Sequence, residues 1–400
     1  MTELPKIVLC DDEEDTAAEW RTNLNALPGI ESRFRIEIVK KTQFNEDIRV
    51  LANRRTQLRE SKSPEAAQTI FDAAAILIVD YDLYDYDPQH LFSGDSVAYL
   101  ARSFSTCGYI VGVNQDRIPN PFDATMVAHR LLPTDISIGG DRVADPGLWC
   151  GSREHWHDFR PWAWPLLPDR AESLREKAEE LESRLDHPLA EVLGFEEVEI
   201  TTMPRSIVTP LDVPAQKDLA AITIRDWVLG SQMGLRSGDL LDDNRQIARV
   251  AAARLGKWLD RVLLPGQDFL VDAPHLIERR PGLLSGDSTD ESSWQKVISL
   301  GEGTPGLEAD RIASHRFGDG WLSRPAWRWG KIASDQGLDD AAEAPRPDPP
   351  LAFAEDQSRF IEASQAKRFR SDLDSPFKTR WLGVPDSSVT YLPAARVPSG

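Results

Sequence analysis

Apolar positions in the first third of the chain come in short blocks separated by amphipathic stretches. Lys6 to Cys10 (KIVLC) is an apolar run that ends in acids, the pattern of a strand buried on both faces. Asp15 to Leu27 puts Ala18, Leu24 and Leu27 on one helical face with Trp20 beside them, and Pro28-Gly29 stops it. Phe34 to Val39 alternates as a second strand. Asn45 to Leu58 reads as a charged helix, Ser61 to Pro64 breaks it, and helix is expected to resume over Glu65 to Phe71. Ala74 to Val79 (AAILIV) is another buried-strand run and closes at Asp80. Gly94 to Phe104 is amphipathic, with Val97, Leu100 and Ala101 in register. Tyr109 to Val113 gives a fourth strand, Met126 to Leu132 a short helix, and Asp135 to Ile138 a fifth strand. Strands and helices alternating at these lengths predict an α/β fold, a doubly wound five-stranded parallel sheet with right-handed crossovers.

The pattern then changes. Trp149 to Pro168 is rich in Trp and interrupted by Pro161, Pro165 and Pro168, so it cannot be one regular element. Asp169 to Leu185 predicts a charged helix whose narrow apolar face suits bridging or pairing. Asp242 to Leu264 holds the clearest helical spacing of the chain, through Ile247, Val250, Ala251, Leu255, Trp258, Leu259 and Val262. Phe269 to Val271 is extended, Ala341 to Pro350 is a Pro-rich loop, and Arg359 to Phe369 is expected as a short mixed-charge helix. The expected organisation is a first domain over 1–150, a Trp/Pro-rich connection and charged helix over 151–200, and a mixed, helix-leaning C-terminal domain over 201–400.

Charge narrows the function classes. The 400 residues carry a net charge of −19, which opposes binding to nucleic-acid phosphates or to an anionic membrane. No stretch approaches the roughly 18 apolar residues of a membrane helix. The N-terminus has no signal-peptide pattern, because acids follow the four apolar residues Ile7 to Cys10 at once. Cys10, Cys107 and Cys150 are odd in number and widely spaced, which fits reduced thiols in a cytoplasmic protein.

The chemistry-bearing feature is three acids at the ends of two strands. Asp11 and Asp12 follow the first strand and Asp80 ends the third. In the strand order 2-1-3-4-5 those strands are neighbours, and ligands bind outside the carboxyl ends of such a sheet. Three converging carboxylates repel one another unless a cation sits among them. Mg²⁺, a hard ion that takes few carboxylates and keeps several waters, suits such a site, and a carboxylate beside it can accept a phosphoryl group.

The segments KIVLCDDEED, AAILIVDYDL, SGDSVAYLAR and YIVGVNQ, over roughly residues 5 to 150, resemble the receiver domains of bacterial response regulators. The resemblance implies that Asp11 and Asp12 bind Mg²⁺, that Asp80 is the phosphoacceptor, and that the backbone carbonyl of Asp82 completes the metal site. It also implies that output follows the fourth strand. Two positions depart from that pattern. Asn114 stands where the family has Ser or Thr, and the Lys expected after the fifth strand is missing, since no Lys occurs between Lys62 and Lys177. Arg142 is the nearest replacement cation, with a different geometry. IVDYDL, DPGLW and KWLDRVLLPGQDFLVDAPHLIERRPGLL resemble a divergent group, the response-receiver proteins of bacterial conflict or phage-defence loci. That implies a partner, a histidine-kinase-like ATPase. The expected function is a phosphorelay signalling protein that passes the state of Asp80 to a C-terminal effector or interaction region. A pseudo-receiver scaffold, or a receiver-regulated hydrolase or nuclease, remains the alternative.

Blander readings stand beside the other candidates. Asp82, Asp85 and Asp87 could offer further side-chain ligands but are expected as a solvated acidic loop that Tyr81, Tyr84 and Tyr86 pack down. Cys150, His155 and His157 lack the second ligand pair of a zinc site. The tryptophans from Trp149 to Trp164 pack between domains or form a partner patch. Asp272, His275 and Arg279 lack a nucleophile at matched spacing, with Ser285 a poor candidate. Gly301 to Gly303 and Gly318 to Gly320 read as turns.

Overall fold

The computed structural model describes residues 4–60, 67–83, 86, 93–114, 133–150, 166–213, 218–230, 243–280, 283, 309–318, 320–338, 351–354, 359–369 and 380–383. Its first part is built on five strands: β1 (Lys6–Cys10), β2 (Arg35–Ile38), β3 (Ala74–Asp80), β4 (Tyr109–Asn114) and β5 (Ile136–Gly139). They form a parallel sheet in the order β2-β1-β3-β4-β5. The doubly wound α/β expectation therefore holds, strand by strand. Strand side chains alternate between faces. Ile7, Leu9, Ile76, Ile78, Val111 and Ile136 bury on one side against Trp20 and Leu24 of α1 (Glu14–Asn25). Val8, Cys10, Leu77, Val79 and Ile110 bury on the other. There they meet Phe44, Ile48 and Leu51 of α2 (Lys41–Arg59) and Val97, Leu100 and Ala101 of α3 (Gly94–Phe104). Each fully buried aliphatic side chain contributes about 1.5–3 kcal/mol, so this double-sided core holds the strand ends in register.

The helix expected over Glu65 to Phe71 is not formed in its described part. Instead Thr69 caps a single 3-10 turn, Ile70–Ala73, in a reciprocal box with Asp72. Asp72 also takes the Arg54 guanidinium at 3.0 and 2.9 Å, and this fixed ion pair outweighs the modest helix propensity of the segment. The expected helix Met126 to Leu132 lies outside the described residues.

The charged helix α4 (Leu167–Glu182) packs on the sheet, with Leu167 buried in the same cluster as Trp20 and Ile136. Ala178 and Leu181 of α4 belong instead to the largest core of the C-terminal region, so the helix joins the two. That core also holds Trp227 of α5 (Ile224–Gly230) and the apolar side of α6 (Asn244–Trp258). Past Trp258 the helix widens into a π turn, Leu259–Leu263, and ends around Pro265. Strand β6 (Leu270–Asp272) leads into α7 (Ala273–Arg279) and pairs antiparallel with β7 (Ala326–Arg328).

Four further strands, β8 (Leu351–Ala354), β9 (Arg359–Glu362), β10 (Lys367–Phe369) and β11 (Arg380–Leu382), make a mixed sheet in the order β10-β11-β8-β9. The helix expected over Arg359 to Phe369 is thus replaced by two strands and a 3-10 turn. Phe360 stacks edge-on to Phe353 of the neighbouring strand, with ring centroids 5.3 Å apart. A cross-strand contact of this kind overrides the local pattern. The remainder is mixed and helix-rich. Among the described residues no helix is long and apolar enough to cross a membrane.

Candidate functional site

The sequence of β1 is apolar to Cys10 and acidic at once afterwards, so the strand's burial delivers Asp11 and Asp12 to its carboxyl end. Asp80 occupies the same level one strand away, because Cys10 pairs with Val79. The ligand oxygens of Asp11, Asp12 and Asp80 all lie within 4.8 Å of one another. Asp11 and Asp80 are buried and Asp12 is partly exposed, which leaves the cluster open on one side.

Within the cluster, Asp11 Oδ1 accepts the N–H of Glu13 at 2.8 Å, which begins α1. Asp80 Oδ2 accepts the N–H of Asp82 at 3.3 Å. Asp80 Oδ1 is buried with no hydrogen-bond partner among the described residues. Leaving a carboxylate oxygen in that condition is costly in the absence of a counter-ion. Burial pushes the Asp80 carboxyl up to about 8, Asp11 adds to the rise, and the N–H groups of Tyr81 and Asp82 only partly offset it. The thiol of Cys10, at the floor of the site, is likewise held well above its ordinary value by burial and then by the three acids. This donor set, hard oxygens around an unpartnered carboxylate atom, fits a small divalent cation such as Mg²⁺.

The other positions named from sequence sort as follows. Asp82 sits in the turn after β3, exposed, and its side chain is not part of the carboxylate group; the resemblance asks only for its backbone carbonyl. Asn114 ends β4, one residue past the Val113 that pairs with Asp80. Arg142 lies in the turn after β5 and meets Asp141 and Asp145, each at 3.4 Å, so its guanidinium is already engaged by acids of its own segment. Tyr86 packs on Phe44 at 4.8 Å and donates to the carbonyl of Val39 at 2.5 Å. Tyr81 is 52% exposed and does not pack the loop as expected. Tyr84, Asp85, Asp87, His155, His157, Ser285 and Gly301 to Gly303 lie outside the described residues.

Asp272 and His275 do come together, but as a helix cap. Asp272 accepts the backbone N–H of His275 at 3.4 Å and also meets its Nδ1, while Arg324 Nε donates to the other oxygen at 3.1 Å. Arg279 pairs with Asp268 and lies over the Trp329 ring at 4.7 Å. These contacts account for all three residues structurally.

Gly94 was missed from sequence. Its N–H donates to the carbonyl of Tyr81 at 2.9 Å, and a Cβ there would stand 2.1 Å from the carbonyl oxygen of Asp80. The first turn of α3 is therefore laid directly on the backbone of the acidic strand end. A glycine at the start of a strongly amphipathic helix, just after the capping Ser93, was the available signal.

No family model matches this chain, and no curated protein matches it. Among solved structures it is similar to the RcsB response regulator of Salmonella typhimurium, described for its conformational dynamism in DNA interaction. The match covers 55% of this chain and 97% of that one, at 17% identity and a TM-score of 0.25. At that score the two chains do not superpose as wholes, and the receiver-like strand order stands on the sheet itself.

Proposed function

We propose that the chain is a divergent receiver that takes a phosphoryl group on Asp80 and relays that state to its C-terminal region. The observation that carries this reading is the Asp80 Oδ1 atom, buried and without a hydrogen-bond partner among the described residues, beside two further carboxylates. Asp11, Asp12, Asp80 and the backbone carbonyl of Asp82 would hold Mg²⁺, whose charge lowers the Asp80 pKa and neutralises phosphoryl oxygens when bound. The ionised Asp80 oxygen then attacks the phosphorus of an acyl or histidyl phosphate. A new P–O bond forms, and the bond to the donor breaks with its electron pair leaving on the donor. The donor we favour is the histidine-kinase-like ATPase of a bacterial defence locus, on the resemblance described above.

A second reading, a receiver that binds the cation without switching, is favoured by two observations. Arg142 is occupied by Asp141 and Asp145, and Asn114 replaces the usual hydroxyl. Incubating the full chain with Mg²⁺ and acetyl phosphate separates the two. Intact mass should gain one phosphoryl group, mapped to the peptide holding Asp80 and absent from Asp80→Asn. Mg²⁺ binding with no uptake establishes the second reading, and no Mg²⁺ binding by calorimetry leaves only a docking scaffold.

A further inference from the structure

Helix α3 touches the acid cluster at one end and the C-terminal region at the other. Its start is fixed by Gly94 on the backbone of Asp80 and Tyr81, with no room for even a methyl group. At its end, helix carbonyls lack intrahelical partners and must find donors elsewhere. Here α6 supplies them. Gln246 Nε2 donates to the carbonyls of Arg102 at 3.0 Å and Ser103 at 2.5 Å. Just past the helix, Arg249 Nη2 donates to the carbonyls of the cap residue Ser105 at 2.5 Å and of Cys107 in the following loop at 2.9 Å. Arg249 Nη1 also reaches Gln246 Oε1 at 3.3 Å, so the two side chains act as one clasp.

The clasp is a charged one. Burial, and then the neighbouring Arg102, lower the Arg249 guanidinium to about 10, which still leaves it protonated at neutral pH. Charged donors make hydrogen bonds roughly twice as strong as neutral ones. Behind the clasp, Ile247, Val250, Ala251 and Leu255 of the same helix are buried in the largest core of the C-terminal region. The rod between the two contacts is 11 residues long, about 16 Å at the helical rise.

We propose that α3 is the output element of this receiver: loading the Asp80 cluster shifts its first turn, and the Gln246–Arg249 clasp passes the shift to the C-terminal core. The proposal rests on the Asp80 reading. Its physical basis is the absence of slack at both ends. Loading the acid cluster with a cation and a phosphoryl group would change the charge held at Asp80, and any shift of the Asp80–Tyr81 backbone that follows is felt by Gly94, which lies against it without room for a methyl group. A packed helix answers such a push as a rigid body. Linkage then requires that the clasp and the acid cluster alter each other's equilibria by one common factor.

The test uses the full chain with Mg²⁺ and beryllofluoride, a phosphoryl mimic. Calorimetry reads binding, and amide hydrogen exchange reads residues 94–107 and 244–257. The expected result is binding, together with an exchange change of about fivefold or more at 244–257. In Gln246→Ala and Arg249→Met, beryllofluoride affinity should shift by about fivefold or more, and the exchange response at 244–257 should vanish while that near Asp80 persists. Gln246→Ala is included because losing the buried Arg249 endangers the fold, and the wild-type exchange needs no variant. Binding with unchanged exchange at 244–257 overturns the α3 route and leaves the Asp80 reading standing. No binding by the wild type removes the Asp80 reading, and the route with it.

Discussion

Asp80 is where a single side chain has the largest consequence. Its carboxyl sits at about 8 against an ordinary 3.8, through burial first and Asp11 second. The folded chain therefore holds a proton that the unfolded chain releases above pH 4. The sign follows: without metal, stability falls as pH rises between about 4 and 8, by about 1.4 kcal/mol per pH unit at its steepest. Asp80→Asn removes this dependence. Thermal unfolding in chelator should show the wild-type Tm dropping between pH 5.5 and 8 while the variant changes much less. Added Mg²⁺ at pH 8 should raise the wild-type Tm and leave that of Asp80→Asn nearly unmoved. Equal pH slopes for the two proteins would mean that neither burial nor the neighbouring acids hold the Asp80 carboxyl above its ordinary range in solution. The three acids could be found from sequence because Asp11 and Asp80 directly follow apolar strand runs and Asp12 comes next, and strand ends are where such sheets place ligands. Cys10 could not be given its role as the floor of the site, since a strand cysteine reads only as a small buried apolar residue.

At the level of elements, α3 is the helix laid against the acidic strand end. Ser93 accepts from the N–H of Ser96 at 3.4 Å to start it, and Val97, Leu100, Ala101 and Phe104 bury its inner face. Gly94→Ala keeps that pattern and improves helix propensity, yet its methyl would stand 2.1 Å from the Asp80 carbonyl oxygen. Backbone has to move, so the variant should lose about 1–3 kcal/mol in denaturant unfolding and bind Mg²⁺ more weakly. A stabilised Gly94→Ala would show that α3 stands off from the strand. The five strands of the first sheet were legible because each is a compact apolar block. Arg359–Glu362 and Lys367–Phe369 were not, because their charged residues hide the alternation and Phe360 finds its partner, Phe353, on another strand. The turn at Ile70–Ala73 escaped for a related reason: it is held by Arg54 on α2, 18 positions from Asp72.

Across the whole molecule, the two halves share a helix. Leu167 of α4 is fully buried in the sheet's core, and Ala171 and Leu174 pack against the same cluster, while Leu181 serves the C-terminal core. Arg170 adds an ion pair to Asp260 at 3.4 Å, and Lys257 donates to the carbonyl of Thr134 at 2.8 Å. A fragment ending at residue 150 would expose the apolar surface that α4 covers. It should be less stable than one ending at residue 186 by about 3 kcal/mol or more, read as a lower Tm or a melt that is no longer cooperative. Equal melts for the two fragments would show that α4 belongs to the C-terminal region alone.

Composition and spacing along the chain were enough to reveal an α/β sheet and an acidic cluster at the ends of its first and third strands. The reason is that apolar blocks, their lengths and the residues that close them are local properties, and the parallel topology converts them into proximity. The contacts that make this protein more than a bare sheet pair residues far apart in sequence, such as Arg249 with the carbonyl of Ser105 across 144 positions. A glutamine and an arginine on one helical face look solvated until another helix presents its unpartnered carbonyls to them. That meeting depends on how two cores dock, and docking is settled by packing in three dimensions rather than by any pattern a single segment displays.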